Sequence, residues 1–331
     1  MRLRKHTIWQ LLKIAMAIAL IAVVISEVSF KSLVMLLKRA EIPWFALSIL
    51  AFYVVLWSMA RRYWIIIGRT IEFHELLKIV VYQNIVGNLL TTAAGAAWYM
   101  GILSNKHKIQ VAKGLLSLLL ARFGDLLTLL LTLSLATLVL WRQIPTLHVI
   151  VTVVIFLLIV AALLSLLMFI LRCQLIEIAD RIVDKFNLHK KVAVQRSFAG
   201  LTAFTDQEID RSARTIGALT GYSVLTLGTM LLFAYCSLRI FGVQIDIWPV
   251  IFVVSLTQIM TLFPIQVLGG LGLHDISYLY LYGLFGMDHA EFAAVVVGLR
   301  ITFYLTNLVF LVFIILPGGL VTRLLFKKEM A

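Results

Sequence analysis

Long apolar segments constrain the fold of this chain more than any other feature. Segments of membrane-crossing length lie at about 8–25, 43–60, 114–140, 148–171, 213–238 and 291–316. A helix needs about 20 consecutive, mostly apolar residues to cross the hydrocarbon core. The chain is 62% hydrophobic and 14% charged, whereas soluble proteins are roughly 45–50% apolar and about 25% charged. The sequence therefore predicts an all-α polytopic membrane protein with about six full transmembrane helices.

Two further apolar segments, about 75–100 and 247–287, are interrupted by polar residues and glycines. A helix that breaks inside hydrocarbon exposes backbone polar groups that lipid cannot satisfy, so such a break lines a protein-buried or water-filled cavity. We therefore predict that both segments are re-entrant helical hairpins. The residues to which we assign a gating role lie in these hairpins, at Gly95, Pro264, Gly269, Gly270 and Gly272.

The positions of the basic residues predict the orientation of the chain. If both hairpins return to the side they enter from, most of the 29 Lys and Arg residues fall in loops on one side, including 61–78 and 172–212. Such residues concentrate in cytoplasmic loops. If 75–100 crossed the membrane instead, the basic 172–212 loop would lie outside, against this rule. We therefore place both termini in the cytoplasm, expect the inner membrane, and interpret the net charge of +13 as a topology signal.

The predicted topology divides the chain into two similar halves. Each hairpin has one span before it and one after it, and the two hairpins enter from opposite faces. We predict a single transmembrane domain over 1–331, with a first half-repeat at about 43–140 and a second at about 213–316, related as an inverted repeat. The segment 172–212 between them is predicted to be a cytoplasmic amphipathic loop. Paired helix interruptions in two such halves are typical of a transport site near the membrane midplane.

Ionisable side chains inside the spans are the first candidates for a binding site. Insertion of such a side chain at the centre of a membrane-spanning helix costs about 2.5–3.5 kcal/mol on translocon scales. The side chain therefore usually faces a cavity or a partner. Arg122 and Asp125 lie three residues apart on one helix. One interpretation is that the two side chains pair with each other as a structural clamp. Another is that Arg122 binds a phosphate, whose oxygens match the fork of the guanidinium group. The third alternative is that Arg122 reaches the inner interface.

A second set of candidates follows the second hairpin. Gly272 precedes Arg300 by 28 residues, and Gly95 precedes Arg122 by 27 residues. We predict that Arg300 faces the same cavity as Arg122, with an interfacial position as the alternative. His274 and Asp275 begin a short helix whose N–H groups point towards an anion, although an acid at a helix start is also a common structural choice.

Asn88, in the first hairpin, completes the predicted substrate-binding set. Arg61 and Arg62 close the second span among tryptophans, and we interpret them as an interfacial anchor, with headgroup binding as the alternative.

Motifs for enzyme catalysis are missing from the sequence. It has no Walker loop, no Ser/His/Asp arrangement and no metal-ligand spacing among its seven histidines. We expect no cofactor, no bound metal and no catalytic residue. Cys173 and Cys236 are expected to be packing residues.

The chain resembles the transmembrane region of lysylphosphatidylglycerol synthases, a family of flippase-like integral membrane proteins. Pro264 and the run Gly269-Gly270-Leu271-Gly272-Leu273-His274-Asp275 are similar to the family's Pro…Gly-Gly-x-Gly-x-Arg-Glu signature, with His-Asp in place of Arg-Glu. The stretch from Asn88 to Gly95 looks like the family's first hairpin, although it lacks the proline, acid and arginine common there. Arg122 looks like the arginine that follows. The resemblance implies movement of lipids with charged or glycosylated headgroups between leaflets.

We therefore expect a translocator of an anionic phospholipid derivative or a polyprenyl-phosphate-linked glycolipid, or a protein that assists one. The alternatives are a membrane-embedded lipid or glycolipid transferase and a non-transporting scaffold of a cell-envelope glycan assembly complex. Gly114, Gly217, Gly221 and Gly228 permit close helix contacts within the chain or in a homo-oligomer. A partner in envelope biosynthesis is the other association we consider, and nucleic acid is not expected.

Overall fold

The computed structural model describes residues 36, 38–170, 213–260 and 273–315. These residues form nine α-helices, which confirms the predicted all-α class. Four predicted features lie outside the described residues. They are the first span at 8–25, the amphipathic loop at 172–212, the gate residues Pro264, Gly269, Gly270 and Gly272, and Cys173.

Five of the described helices are long and apolar enough to cross a membrane. They correspond to the predicted spans that the described residues cover, so the chain is a multi-pass membrane protein. Their bounds are α1 at Ile42–Ile66, α4 at Val111–Leu140, α5 at His148–Ile170, α6 at Ala213–Ile240 and α9 at His289–Ile315.

Four shorter helices form the two interrupted segments. They are α2 at Phe73–Leu89, α3 at Thr92–Asn105, α7 at Ile247–Met260 and α8 at Leu273–Gly283. The longest of these, α2, has 17 residues and reaches only about 25 Å at 1.5 Å per residue. The described residues of each interrupted segment therefore include a pair of short helices, and the re-entrant placement of both segments in a membrane stays a prediction.

The first hairpin is closed at its break and at its base. At the break, the Thr91 side chain caps α3 by accepting a hydrogen bond of 3.1 Å from the backbone N–H of Ala94. At the base, Lys106 after α3 donates a 2.5 Å hydrogen bond to Glu75 at the start of α2. That hydrogen bond lowers the pKa of the Glu75 carboxyl. The chain therefore returns close to where the hairpin began.

Gly95 allows the two arms of the first hairpin to approach closely. A Cβ atom at Gly95 would lie 2.5 Å from the backbone oxygen of Gln83 and 3.0 Å from the Cα of Gly87. No real Cβ comes that close to backbone atoms, so the packing of α3 on α2 requires glycine at this position.

The described helices pack so that each half of the chain contacts the hairpin of the other. The order long helix, two short helices, long helix occurs twice, as α1 to α4 and as α6 to α9. The two leading helices, α1 and α6, pack closely on each other, and the hydroxyls of Ser58 and Thr226 lie 2.7 Å apart between them. The trailing helix α4 contacts α7, and α9 contacts α2. The predicted repeat boundaries stay a prediction. The helices that pack against each other in this way enclose a cavity between the halves.

Candidate functional site

A cavity of about 350 Å³ lies among the helices of both halves. Its lining includes every predicted substrate-binding residue, namely Asn88, Arg122, Asp125, His274, Asp275 and Arg300. Much of the remaining lining is apolar, with side chains such as Phe52, Leu129 and Phe303. The cavity therefore presents charged groups and an apolar surface to one ligand.

Arg62 places a fully buried guanidinium against this cavity. The residue lies near the end of α1 and is 1% exposed. It forms an ion pair with Asp125 of α4. It also donates hydrogen bonds to the backbone oxygen of Ala121 (3.3 Å) and to Oγ of Ser223 on α6 (3.1 Å). A buried charge is tolerated only when it is paired and hydrogen-bonded, and these contacts join α1, α4 and α6.

The interpretation of Arg62 as an interfacial anchor is therefore wrong. Arg61 and Arg62 are neighbours near the end of the same helix, and both lie close to tryptophans in the sequence. The sequence alone therefore did not show that the two side chains have different surroundings. Arg61 lies over aromatic rings, with its guanidinium carbon 4.0 Å from the ring centre of Phe73 and 5.1 Å from that of Trp57. Such cation–π contacts fit an aromatic setting, so only one of the adjacent arginines faces the cavity charges.

Arg122 also lines the cavity. Among the residues that the structure describes, it makes no ion pair and no hydrogen bond. The predicted alternative in which Arg122 and Asp125 pair is wrong, since Arg62 occupies that carboxylate. The carbonyl of Ala121, directly before Arg122, accepts a hydrogen bond from Arg62. Two guanidinium-bearing residues thus meet at one turn of α4, and only Arg62 of the two has an ion partner among the described residues.

The second half places an arginine at the same depth in its trailing helix. Arg300 lies 11 residues after His289 at the start of α9, and Arg122 lies 11 residues after Val111 at the start of α4. Arg300 Nε donates to Oδ1 of Asp275 on α8 at 2.5 Å. Asp275 is 4% exposed. This pair joins α8 to α9 and gives both charges a partner, while the neighbouring His274 also lines the cavity.

Asn88 connects the first hairpin to the other half of the molecule. Its Nδ2 donates to Oδ1 of Asn84 at 2.7 Å and to Oδ1 of Asn307 on α9 at 3.1 Å. Nδ2 of Asn307 in turn donates to the backbone oxygen of Phe303 at 2.8 Å. The amide of Asn88 is thus used in a contact between halves. Asn307 was missed by the sequence reasoning, because a polar residue inside an apolar span gave no indication of its partner.

The charged residues described in the cavity lining consist of three arginines and two aspartates. Two arginines are neutralised in the pairs Arg62–Asp125 and Arg300–Asp275. Arg122 supplies the remaining positive charge. The arrangement suits an anion that carries an apolar body, since the guanidinium fork matches phosphate and carboxylate oxygens.

Comparisons with known proteins point to one family. The family model described as lysylphosphatidylglycerol synthase TM region matches residues 10–311 of the chain. No curated protein and no solved structure matches the chain.

Proposed function

This chain belongs to the lysylphosphatidylglycerol synthase TM region family, and we propose that it moves a lipid with an anionic or glycosylated headgroup between the leaflets of the inner membrane, or assists that movement. The observation that carries the proposal is the cavity between the halves, which combines three arginines with an apolar lining. The headgroup of a lipid needs charged partners that replace water, and the apolar chains of the lipid need an apolar surface.

In the proposed mechanism, the phosphate binds at Arg122 and then engages Arg300 as well. The two arginines lie at matching positions in the trailing helices of the two halves. Because each half contacts the hairpin of the other, a movement of one half against the other would open the cavity first to one leaflet and then to the other. The lipid gradient, or protons carried through His274 and Asp275, would supply the energy.

A vesicle assay with the purified full-length chain tests this proposal. Fluorescently labelled phosphatidylglycerol is placed in both leaflets, and a membrane-impermeant reductant removes the outer signal. We expect the protein to accelerate loss of the inner signal, and we expect Arg122→Gln to reduce that acceleration by about tenfold or more, since a hydrogen bond to a charged group is worth about 1.5–3 kcal/mol.

The matched control is Arg142→Gln. Arg142 is exposed in the turn between α4 and α5 and does not line the cavity, so its loss is expected to leave the rate unchanged. A folded wild-type protein that moves labelled lipid no faster than empty vesicles would overturn the proposal.

A further inference from the structure

We propose that Arg61 and Arg69 form a second anion site, which holds the phosphate of an anionic phospholipid at the membrane surface beside the end of α1. Neither residue lines the cavity between the halves. The inference therefore goes beyond the proposed function, and it does not depend on lipid movement through the cavity.

An aromatic cluster positions both guanidinium groups. The guanidinium carbon of Arg61 lies 4.0 Å from the ring centre of Phe73, at the start of α2. The same carbon lies 5.1 Å from the ring centre of Trp57 and 5.4 Å from that of Trp64. The guanidinium carbon of Arg69 lies 5.2 Å from the ring centre of Trp64. The two arginines thus share one indole, which brings their positive charges together.

The turn between α1 and α2 is held in the conformation that places Arg69 over this indole. The backbone N–H of Arg69 donates a 2.9 Å hydrogen bond to the backbone oxygen of Trp64. Nε1 of Trp64 donates a 2.8 Å hydrogen bond to the backbone oxygen of Ile71. Arg69 has a φ of 57°, which is uncommon for a residue other than glycine. Such a conformation persists only where the surroundings hold it.

Stacking on the rings leaves the donors of both arginines available to an anion. A guanidinium that lies over a ring uses its face, whereas its N–H groups point outwards in its plane. Neither Arg61 nor Arg69 makes an ion pair with any residue that the structure describes. The two acids nearest in sequence contact other groups: Glu72 lies 3.3 Å from a histidine and Glu75 lies 2.5 Å from a lysine.

The position of the site favours a phosphate that is carried by a lipid. Arg61 lies five residues before the end of the membrane-spanning helix α1, which is about 7 Å along the axis. Tryptophans at such a helix end lie at the level of the headgroups. The amino group of Lys113 adds a third positive charge, since it lies 3.3 Å from the position of a Cβ atom at Gly68. Clusters of basic residues attract anionic lipids, and the guanidinium fork matches phosphate oxygens.

Photolabelling of the full-length protein in phosphatidylcholine nanodiscs tests the inference. A small fraction of the lipid is phosphatidylglycerol with a photoreactive group next to the headgroup, and phosphatidylcholine with the same group serves as the comparison. Labelled positions are identified by mass spectrometry after digestion with pepsin. We expect the phosphatidylglycerol probe to label residues 57–73 about fivefold more strongly than the phosphatidylcholine probe. Arg69→Gln and Arg61→Gln should each reduce that labelling about fivefold.

Lys108→Gln is the matched control. Lys108 is exposed, has a φ of 55° and follows α3, so its replacement removes the same charge from a similar backbone conformation outside the aromatic cluster. Labelling of residues 57–73 should remain unchanged in this variant. Equal labelling by the two probes, or an equal loss in the Lys108 and Arg69 variants, would overturn the inference.

Two further arms separate this site from other sources of the signal. Arg122→Gln alters the cavity and should leave the labelling of residues 57–73 unchanged, whereas a loss would assign the label to lipid in the cavity and overturn the inference. Excess glycerophosphoglycerol, which is the same headgroup without chains, should not compete with the probe. Full competition would show a site for soluble phosphodiesters and would overturn the assignment to a lipid.

Discussion

At the scale of single residues, the site depends on which arginine holds which carboxylate. Arg62 forms an ion pair with Asp125, and Arg300 forms one with Asp275. Arg122 has no ion pair among the described residues. Spacing along one helix left open whether Arg122 and Asp125 pair, and the partner of Asp125 comes from another helix. Pairing of this kind stabilises little relative to apolar packing, yet breaking it is costly because it leaves one charge alone.

The ion pair between Arg62 and Asp125 joins α1 to α4, so its loss is expected to change the stability of the protein. Asp125→Leu is expected to lower thermal stability strongly, by an amount equivalent to about 3 kcal/mol, because Arg62, which is 1% exposed, loses its ion partner. The double variant Arg62→Leu/Asp125→Leu should recover most of the loss. Thermal unfolding in detergent, followed by tryptophan fluorescence, measures both. A double variant less stable than the single one would contradict this account.

At the scale of secondary-structure elements, the first hairpin is defined by close backbone approach as much as by polarity. Gly95 stands directly against the backbone of Gln83 and Gly87, so α2 and α3 lie nearer to each other than side chains normally permit. The sequence predicted a hairpin from its interruption by small and polar residues. Two further contacts stabilise the hairpin. Thr91 caps α3, and Glu75 and Lys106 form an ion pair at the base.

Two glycines on α3 give a matched test of this packing. Gly95→Ala places a Cβ 2.5 Å from a backbone oxygen, and we expect a destabilisation of about 1–3 kcal/mol from overpacking. Gly101→Ala meets nothing within 4 Å and should stabilise by up to about 1 kcal/mol, since alanine favours helix over glycine. Comparison of the two melting temperatures checks the prediction, and equal effects of the two substitutions would argue against tight hairpin packing.

At the scale of the whole molecule, the architecture was more predictable than the contacts inside it. Apolar runs long enough to cross a membrane indicated the helices directly, because hydrocarbon imposes a length and a composition on each span. The side-chain partners at and beside the cavity lie 63 residues apart for Arg62–Asp125, 25 for Asp275–Arg300 and 219 for Asn88–Asn307. Helical spacing relates residues within one helix only, so packing between helices decided all three.

The contact between Asn88 and Asn307 leads to a prediction about the movement of the halves. It joins α2 of one half to α9 of the other, with the two amides 3.1 Å apart. If lipid movement requires the halves to shift against each other, a covalent link here should stop it. The variant Asn88→Cys/Asn307→Cys, made with Cys173 and Cys236 replaced by alanine, is expected to lose transport after treatment with a short bifunctional thiol reagent. Each single-cysteine variant should remain active after the same treatment. Full transport by a completely cross-linked double variant would show that this contact stays fixed throughout the cycle.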